Sequence, residues 1–281
     1  MTVAPLSIRD DPERRARLDA AVEIARKVGR KVLMPRLPLG GYRGQLDFKG
    51  RIDLVTDADR AAEATIVAEL ALRFPGEGVL GEERGESEGT GASRRRWIVD
   101  PLDGTTNFVH GHPFFCVSIA GVDDLGPEVG VVYAPCLDEC FFAARGGGAY
   151  LNTEKIPLRA SAEGEMIRAL LTTGFAYDQK SFPNVQRFGH LLARSQGVRR
   201  CGAAALDLAY VAAGRYDGFW ESGLNVWDVM AGALLVTEAG GRVTDYEGGP
   251  DWVGKRTLVA SNGKLHEALV REVQDAGEIG A

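Results

Sequence analysis

The sequence predicts a fold made of layered helices and sheets, and three features support this. A long amphipathic helix opens the chain, short apolar runs separated by turn residues follow between residues 79 and 151, and helices then alternate with strands. Because an apolar helix stripe or sheet face needs a second layer to bury it, this order of elements is typical of α+β and α/β proteins. The change of pattern near residue 160 predicts two halves, 1–160 and 161–281, that form one compact unit around a shared cleft.

Composition and charge disfavour several classes of protein. Of the 281 residues, 45% are hydrophobic and 26% are charged, as in ordinary globular domains. The net charge of −6 disfavours binding to nucleic acid, and the basic run at residues 94–96 is too short to reverse that. The start of the chain lacks the pattern of a signal peptide, and no apolar stretch reaches the roughly 18 residues of a membrane span. We therefore expect a cytoplasmic protein without nucleic-acid or membrane partners.

The first helix is predicted from residue 12 to about residue 34. Asp11 can cap it, Pro12 suits the first helical position, and apolar residues then recur at helical spacing. Pro35 should end it, and a loop rich in proline and glycine follows. A second helix is predicted over residues 56–73.

The middle of the chain predicts a mostly antiparallel sheet. Apolar runs bounded by turn residues predict strands at residues 79–80, 97–99, 115–122, 129–134, 139–143 and 149–151. The polar segment 85–93 carries no predicted element. The C-terminal half predicts strands at 169–172, 216–220 and 257–260, and helices at 184–196, 203–213, 227–238 and 264–274.

The densest group of acidic residues follows the strand predicted at 97–99. Asp100 follows that strand directly, and Pro101 is expected to turn the chain before Asp103. The turn can therefore point both carboxylates to one side. Gly104 and two threonines then begin a helical turn, whose backbone N–H groups suit an anion. Magnesium prefers oxygen ligands and is often shared with a substrate phosphate. This segment therefore predicts a site for magnesium and phosphate.

Two further acids have surroundings that suit a metal or catalytic site. Glu82 follows a short strand, and Asp228 lies at the start of a strongly apolar helix. Each also has a purely structural explanation, because Glu82 fits an exposed turn and Asp228 fits a capping position of its helix. Asp59, near the start of the second helix, resembles part of a capping box. Taken alone, each of these residues favours its structural explanation.

Three segments taken together resemble the signature of a known family. They are Gly81-Glu82-Glu83, the run Asp-Pro-Leu-Asp-Gly-Thr-Thr-Asn-Phe at residues 100–108, and Trp227-Asp228-x-x-Ala231-Gly232. In this order they are similar to the inositol monophosphatase family, within the lithium-sensitive, magnesium-dependent phosphatase superfamily. Softer similarity covers residues 12–270 and includes Lys49, which matches a lysine near the family's metal site. The resemblance implies a layered α-β-α-β-α sandwich, usually a homodimer.

The same resemblance implies roles for individual residues. The family's metal ligands, which hold two or three Mg²⁺ ions, are matched by Glu82, Asp100, the Leu102 carbonyl, Asp103 and Asp228. Its catalytic groups are matched by Asp59, Thr105 and Glu82. Its substrate contacts are matched by Gly104, Thr105, Thr106, Ala204, Glu221 and Asp228.

The implied activity is the hydrolysis of inositol monophosphate by direct attack of a metal-activated water. A carboxylate at Glu221 would accept hydrogen bonds from a polyol and repel a second phosphate. Because one residue seldom sets specificity, histidinol phosphate, fructose 1,6-bisphosphate, NADP and 3′-phosphoadenosine 5′-phosphate are alternative substrates. A regulatory or scaffold protein on the same fold is the alternative from another class, although every metal-ligand position is filled.

Overall fold

The computed structural model describes residues 11–37, 44, 46–48, 54–90 and 93–278. The helices are α1 (Pro12–Val28), α2 (Asp57–Arg73), α3 (Thr105–Val109), α4 (Val185–Leu192), α5 (Ala204–Ala212), α6 (Val226–Glu238) and α7 (His266–Glu278). The first strands are β1 (Leu46–Phe48), β2 (Leu54–Thr56), β3 (Gly78–Gly81), β4 (Gly85–Ser87), β5 (Arg96–Asp103), β6 (Cys116–Asp123), β7 (Gly126–Ala134) and β8 (Glu139–Ala144). The later strands are β9 (Gly148–Leu151), β10 (Thr153–Pro157), β11 (Leu170–Thr173), β12 (Gly197–Arg199), β13 (Gly218–Ser222), β14 (Arg242–Thr244) and β15 (Thr257–Ser261).

The first helix begins as predicted but ends earlier. The Asp11 side chain accepts a hydrogen bond from the Arg14 N–H at 3.0 Å, and Pro12 occupies the first turn. The α-helix ends at Val28, and the chain continues through a π-helical turn (Gly29–Leu33) and a 3₁₀ turn (Met34–Arg36). Pro35 lies inside that last turn, so the predicted stop at Pro35 was wrong for the α-helix itself.

The larger sheet has the order β10-β9-β8-β7-β6-β5-β3-β4 within the described residues. Its pairs are antiparallel, as predicted, except for β3 and β5, which run parallel. Two of its strands, β4 and β10, were not predicted. Neither strand alternates apolar and polar residues with an apolar side facing the core, and the three residues of β4 are all exposed.

The smaller sheet has the order β12-β11-β13-β15-β14. Strand β11 pairs in parallel with both β12 and β13, whereas β15 runs antiparallel to β13 and β14. The short strands β12 and β14 were not predicted. The larger sheet is formed by residues 78–157 and the smaller one by residues 170–261, and the division of the chain near residue 160 stays a prediction.

The two sheets and the helices form five layers. On the larger sheet, Trp97, Ile119 and Val131 lie in a buried cluster with α1 and α2. Their chain neighbours Ile98, Ala120 and Val132 face the other side and pack with α5 and α6. This alternation follows from the two-residue period of a strand.

The smaller sheet repeats this arrangement on the far side of α5 and α6. Its residues Phe219 and Leu258 join the α5–α6 cluster, whereas Trp220 and Val259 join the cluster under α4 and α7. The order of layers is therefore α-β-α-β-α, which confirms the predicted fold. Among the described residues, no helix is long and apolar enough to cross a membrane.

Candidate active site

A bulge in β5 brings two carboxylates to the same side of the larger sheet. Asp100 pairs with Ser118 of β6, and Asp103 pairs with Cys116, so three steps on β5 oppose two on β6. Residues three apart on a regular strand would face opposite sides, and the extra residue of a bulge corrects this. The strand runs through Pro101, so the prediction that Pro101 turns the chain out of the strand was wrong. Proline is tolerated at a bulge because the ladder hydrogen bond is already lost there.

Every predicted site residue except Asp59 lines one pocket, whose empty space is about 920 Å³ with the open solvent at its mouth included. Four of its lining residues are acids from three different elements, Glu82 after β3, the pair on β5, and Asp228 at the start of α6. Glu221 and the start of α5 also line the pocket.

Burial raises the pKa values of Asp100, Asp103 and Asp228, and repulsion by neighbouring carboxylates adds to this at Asp100 and Asp228. For Asp100 the largest cause is burial, and the negative charges of Glu82 and Asp103 follow. Burial raises the pKa of Asp103 to about 6, although the backbone N–H groups of Ala205 and its neighbours oppose this. Burial and then the charge of Glu82 raise the pKa of Asp228. Groups in this state are stabilised as carboxylates by any cation that enters among them.

Asp59 serves the helix cap and the pocket at once. One carboxylate oxygen accepts hydrogen bonds from the Thr56 N–H at 2.8 Å and the Thr56 hydroxyl at 2.6 Å, which completes the predicted capping box. The other oxygen accepts a hydrogen bond from the Thr105 hydroxyl at 2.9 Å. Burial raises the pKa of Asp59 to about 6, and the hydrogen bonds from Thr56 and Thr105 oppose the rise. The two explanations offered for Asp59 are therefore compatible.

Asp228 also combines a capping contact with a position in the pocket. Its carboxylate accepts a hydrogen bond from the Asn225 N–H at 2.7 Å, which holds the first turn of α6. The same side chain lines the pocket beside Glu82 and Asp100. Capping fixes the direction of the carboxylate, because a residue three positions into a helix can reach back to its N-cap.

The start of α5 is tied to the start of α3. The Ala205 N–H donates to Asp103 at 2.7 Å, and Ala204 lines the pocket next to it. The side-chain amide of Asn107 donates to the carbonyls of Phe114 at 2.6 Å and Cys201 at 2.8 Å. These bonds hold the chain before α5 against the segment that follows β5.

Gly104 precedes α3 in a conformation that requires glycine. Its φ of 93° is left-handed, and an added Cβ would lie 3.1 Å from the Phe114 carbonyl oxygen and 3.2 Å from the Ala203 Cβ. The backbone N–H groups that follow, including those of Thr105 and Thr106, start α3 beside the pocket acids.

The wall of the pocket that carries Glu221 is built by the smaller sheet. Glu221 on β13 is buried, and an added Cβ on Gly174 would come within 2.2 Å of its carboxylate. Burial is the main cause that raises the pKa of Glu221, the charge of Asp207 adds to it, and the guanidinium of Arg200 opposes it. Asn184 fixes this wall, because its amide donates to the Gly174 carbonyl at 2.7 Å.

Both the sequence and the fold match known proteins. The model of the inositol monophosphatase family matches residues 13–278. The chain belongs to the inositol monophosphatase family. An inositol-1-monophosphatase from Mesorhizobium japonicum is 44% identical over 265 residues, which cover 93% of this chain and 97% of that protein. A protein named Nus factor SuhB from Pseudomonas aeruginosa is 48% identical over 227 residues, 79% of this chain and 83% of that protein.

Solved structures agree with the family. The extragenic suppressor protein suhB from Bartonella henselae aligns with a TM-score of 0.86 at 42% identity, over 92% of this chain and 98% of that one. An inositol monophosphatase from Anabaena aligns with a TM-score of 0.82 at 42% identity, over 93% and 96% of the two chains.

Inositol monophosphatases are generally metal-dependent, and the donors in this chain fit a hard divalent cation. The pocket offers carboxylate oxygens and the Leu102 carbonyl, the ligand type that Mg²⁺ prefers. Among the described residues, no group of three or more His, Cys, Asp or Glu side chains is placed so that it could hold a metal ion as it stands. Burial raises the pKa of Asp100 and Asp228, and repulsion by the charge of Glu82 adds to the rise. A cation between them would remove that repulsion.

Several residues of the pocket were not predicted from the sequence. They are Gly174, Phe175, Ala176, Tyr177, Arg200, Asp207 and Asn225. Asp207 is 1% exposed, and one of its carboxylate oxygens has no hydrogen-bond partner among the described residues. A buried acid within a strongly apolar helix was the signal available for it. Lys49, expected near the metals, lies outside the described residues.

Proposed function

We propose that this protein is a magnesium-dependent phosphomonoesterase that hydrolyses inositol monophosphate. The observation that carries the proposal is the set of acids gathered in one pocket. Glu82, Asp100, Asp103 and Asp228 line it beside the start of α3, and Glu221 lines it as well. A phosphate can therefore be held by the first four acids, through metal ions, while its leaving group meets Glu221.

The acids would hold the metal ions in two groups. Glu82, Asp100 and the Leu102 carbonyl would hold one ion, and the second would be held by Asp100, Asp103 and Asp228. When bound, Mg²⁺ supplies Lewis acidity, which lowers the pKa of a water and offsets the charge of the phosphoryl group and of the leaving oxygen. The number of working ions, two or three, is part of the proposal.

The protein's own groups then place the water and the phosphate. The Thr105 hydroxyl, held by Asp59 at 2.9 Å, would orient the attacking water. The N–H groups of Gly104, Thr105 and Thr106 would hold phosphoryl oxygens at the start of α3. The water oxygen bonds to phosphorus as the bond from phosphorus to the polyol oxygen breaks. The polyol oxygen leaves with a proton, and inorganic phosphate remains.

The substrate assignment depends on the part of the pocket around Glu221. Glu221 would accept hydrogen bonds from the polyol hydroxyls, and Ala204 would line the same space. Burial, and then the charges of Asp207, Asp228 and Asp103, raise the pKa of Glu221, and the same charges would repel a second phosphate there. This disfavours fructose 1,6-bisphosphate, NADP and 3′-phosphoadenosine 5′-phosphate. Histidinol phosphate remains the closest rival, because its ammonium group would also be accepted.

A second candidate function follows from the names of the relatives. Several proteins at 42–48% identity are named Nus factor SuhB, among them the one from Escherichia coli K12. A regulatory role beside or instead of catalysis is therefore the second candidate. Recovery of RNA polymerase with this protein from extract of its own cells, compared with a surface-charge variant, would support it.

The family resemblance adds three further proposals. We expect a homodimer in solution, inhibition of the hydrolysis by Li⁺, and a cytoplasmic location. Sedimentation of the purified protein, lithium titration of its activity and cell fractionation would test them in turn.

Phosphate release by the purified protein tests the main proposal. Inositol 1-phosphate, histidinol phosphate, fructose 1,6-bisphosphate, NADP and 3′-phosphoadenosine 5′-phosphate would each be given with Mg²⁺ and with a chelator. We expect magnesium-dependent release that is strongest with inositol 1-phosphate. A preference for another substrate would keep the chemistry and overturn the substrate. No release from any of them by folded protein would favour the regulatory role.

A further inference from the structure

Glu63, a buried acid on α2, accepts hydrogen bonds from the turn that carries Glu82. Its side chain is fully buried at 0% exposure. One carboxylate oxygen accepts a hydrogen bond from the Glu83 N–H at 2.7 Å, and the other accepts one from the Arg84 N–H at 2.8 Å. A buried carboxylate is costly unless it is well hydrogen-bonded, and here each oxygen has a backbone donor.

The contact requires the chain to approach Glu63 closely. An added Cβ on Gly81 would lie 2.7 Å from the Glu63 carboxyl carbon, so glycine at this position admits the carboxylate. Burial raises the pKa of Glu63, and the two backbone donors oppose the rise. The N–H groups are the partners that make an ionised carboxylate acceptable in this position.

The same turn is held on its other side by the larger sheet. The Glu82 N–H donates to the Val99 carbonyl at 3.3 Å, next to the β5 acids. Glu82 therefore lies between a bond to β5 and the two bonds to Glu63. These restraints act on its backbone and leave its side chain directed into the pocket.

One helix thus supports two parts of the site. Glu63 lies four residues after Asp59 on α2, so both acids stand on the same side of that helix. Asp59 bonds to the Thr105 hydroxyl, whereas Glu63 bonds to the turn that follows β3. A shift of α2 would move the water-orienting group and the Glu82 turn together.

We propose that Glu63 is a positioning residue, whose carboxylate fixes the Glu82 turn so that Glu82 can serve as a ligand to the metal. The inference rests on the proposed metal role of Glu82. Glu63 itself contacts neither the pocket nor the substrate. Its loss should therefore weaken metal binding without a comparable loss of turnover once metal is in excess.

The variant Glu63→Gln tests this with little change in size. A glutamine can offer one carbonyl oxygen, but its NH₂ group faces the second backbone N–H and cannot accept from it. We expect the Mg²⁺ concentration for half-maximal activity to rise about tenfold or more, as for other groups that orient metal ligands. The kcat at saturating Mg²⁺ and the KM for substrate should stay within about threefold.

Two measurements that do not depend on activity accompany the kinetics of Glu63→Gln. Calorimetric titration of the protein with Mg²⁺, and with Mn²⁺, should show the same loss of affinity. Hydrogen exchange should become faster at whichever of the Glu83 and Arg84 amides faces the NH₂ group in the variant, because that amide loses its acceptor. Glu69→Gln is the matched control, since Glu69 lies on α2 but pairs with Lys27 and Arg73 away from the pocket.

A double variant separates this inference from the proposed function. If Glu63 acts through Glu82, Glu63→Gln should add little to the loss of metal affinity already caused by Glu82→Gln. Unchanged metal affinity in Glu82→Gln would refute the metal role itself. A loss in Glu82→Gln with unchanged affinity in folded Glu63→Gln would refute only the role of Glu63. If Glu63→Gln does not fold, Glu63→Asp, which keeps the charge but is one methylene shorter, is measured by the same criteria.

Discussion

The hydroxyl of Thr105 lies 2.9 Å from the carboxylate of Asp59, although 46 residues separate them in the chain. The bond joins the segment after β5 to the start of α2 and depends on the packing of α2 against the larger sheet. Thr105 also lies 3.1 Å from the Leu102 carbonyl, and a hydroxyl has one proton to donate. Donation to Asp59 leaves the Leu102 carbonyl free to serve as the proposed metal ligand.

Thr105→Val should lower kcat about 100-fold, because valine keeps the shape of threonine but cannot orient water. Asp59→Asn should give a similar loss, since its amide no longer fixes the direction of the hydroxyl. The double variant should be little worse than either single one if the two residues act as a unit. Steady-state kinetics at saturating Mg²⁺ measures all three, and independent effects that multiply would contradict the pairing.

Asp100→Asn should lower turnover at least about 100-fold, since it removes a charge from both proposed metal groups. The folded protein should not lose stability in the presence of a chelator. Asn keeps an acceptor for the Leu102 N–H, which lies 3.0 Å from Asp100, and removes a carboxylate repelled by its neighbours. Thermal unfolding with and without Mg²⁺ checks this. A variant with near-normal turnover would exclude Asp100 as a ligand.

Glu221→Gln should change substrate preference more than it changes turnover. The ratio of kcat/KM for inositol 1-phosphate to that for 4-nitrophenyl phosphate, whose leaving group has no spare hydroxyl, should fall about tenfold. An equal fall for both substrates would indicate a structural role instead. Magnesium-dependent hydrolysis of the nitrophenyl ester should persist in either case.

Gly104→Ala should cost stability and raise the KM for substrate. The left-handed backbone alone costs a residue with a Cβ about 1–2 kcal/mol, and the new Cβ also crowds the Phe114 carbonyl at 3.1 Å. Gly126→Ala is the matched control, because Gly126 has a φ of 101° and an added Cβ there meets nothing within 4 Å. Chemical denaturation should show a smaller loss for Gly126→Ala and an unchanged KM. Equal losses would mean that the crowding at Gly104 is unimportant.

His266 should make the protein less stable in acid. It is buried between the Thr244 hydroxyl at 2.9 Å and the Ser261 hydroxyl at 3.0 Å. Burial, and then the charge of Arg242, lower its pKa from 6.5 to about 4, whereas the charge of Glu267 opposes this. The unfolded chain therefore binds a proton more readily between these values. The stability that the neutral ring contributes is present above pH 6.5 and is lost as the pH falls towards 4.

The difference in the free energy of unfolding between the natural protein and His266→Gln isolates this effect. As the pH falls from 6.5 towards 4, this difference should decrease by about 1.4 kcal/mol per pH unit. Denaturation at pH 7.5, 5.5 and 4.5 measures it. A difference that is independent of pH would show that the ring titrates normally in the folded state.

The sequence by itself determined where the acids Asp59, Asp100, Asp103 and Asp228 of the candidate site lie along the chain. The run at residues 100–108, the capping box of Thr56 and Asp59, and the acid at the start of α6 are local patterns whose physical meaning depends on a few neighbouring residues. Such patterns also predicted the order of most helices and strands. They failed at β5, where Pro101 suggested a turn and the strand continues through a bulge, because pairing with β6 outweighs the local preference.

Only the tertiary structure decided which groups surround Glu221. Gly174 and Asp207 meet Glu221 because α5 and α6 pack between the two sheets, and no local pattern encodes a contact across layers. The same holds for Glu63. In the sequence it is one more polar residue of α2, and only the fold brings the N–H groups of the turn after β3 to its carboxylate. The sequence marks where the proposed oxygen ligands stand along the chain. The burial that raises the pKa values of Asp100, Asp103 and Asp228 arises only when the layers come together.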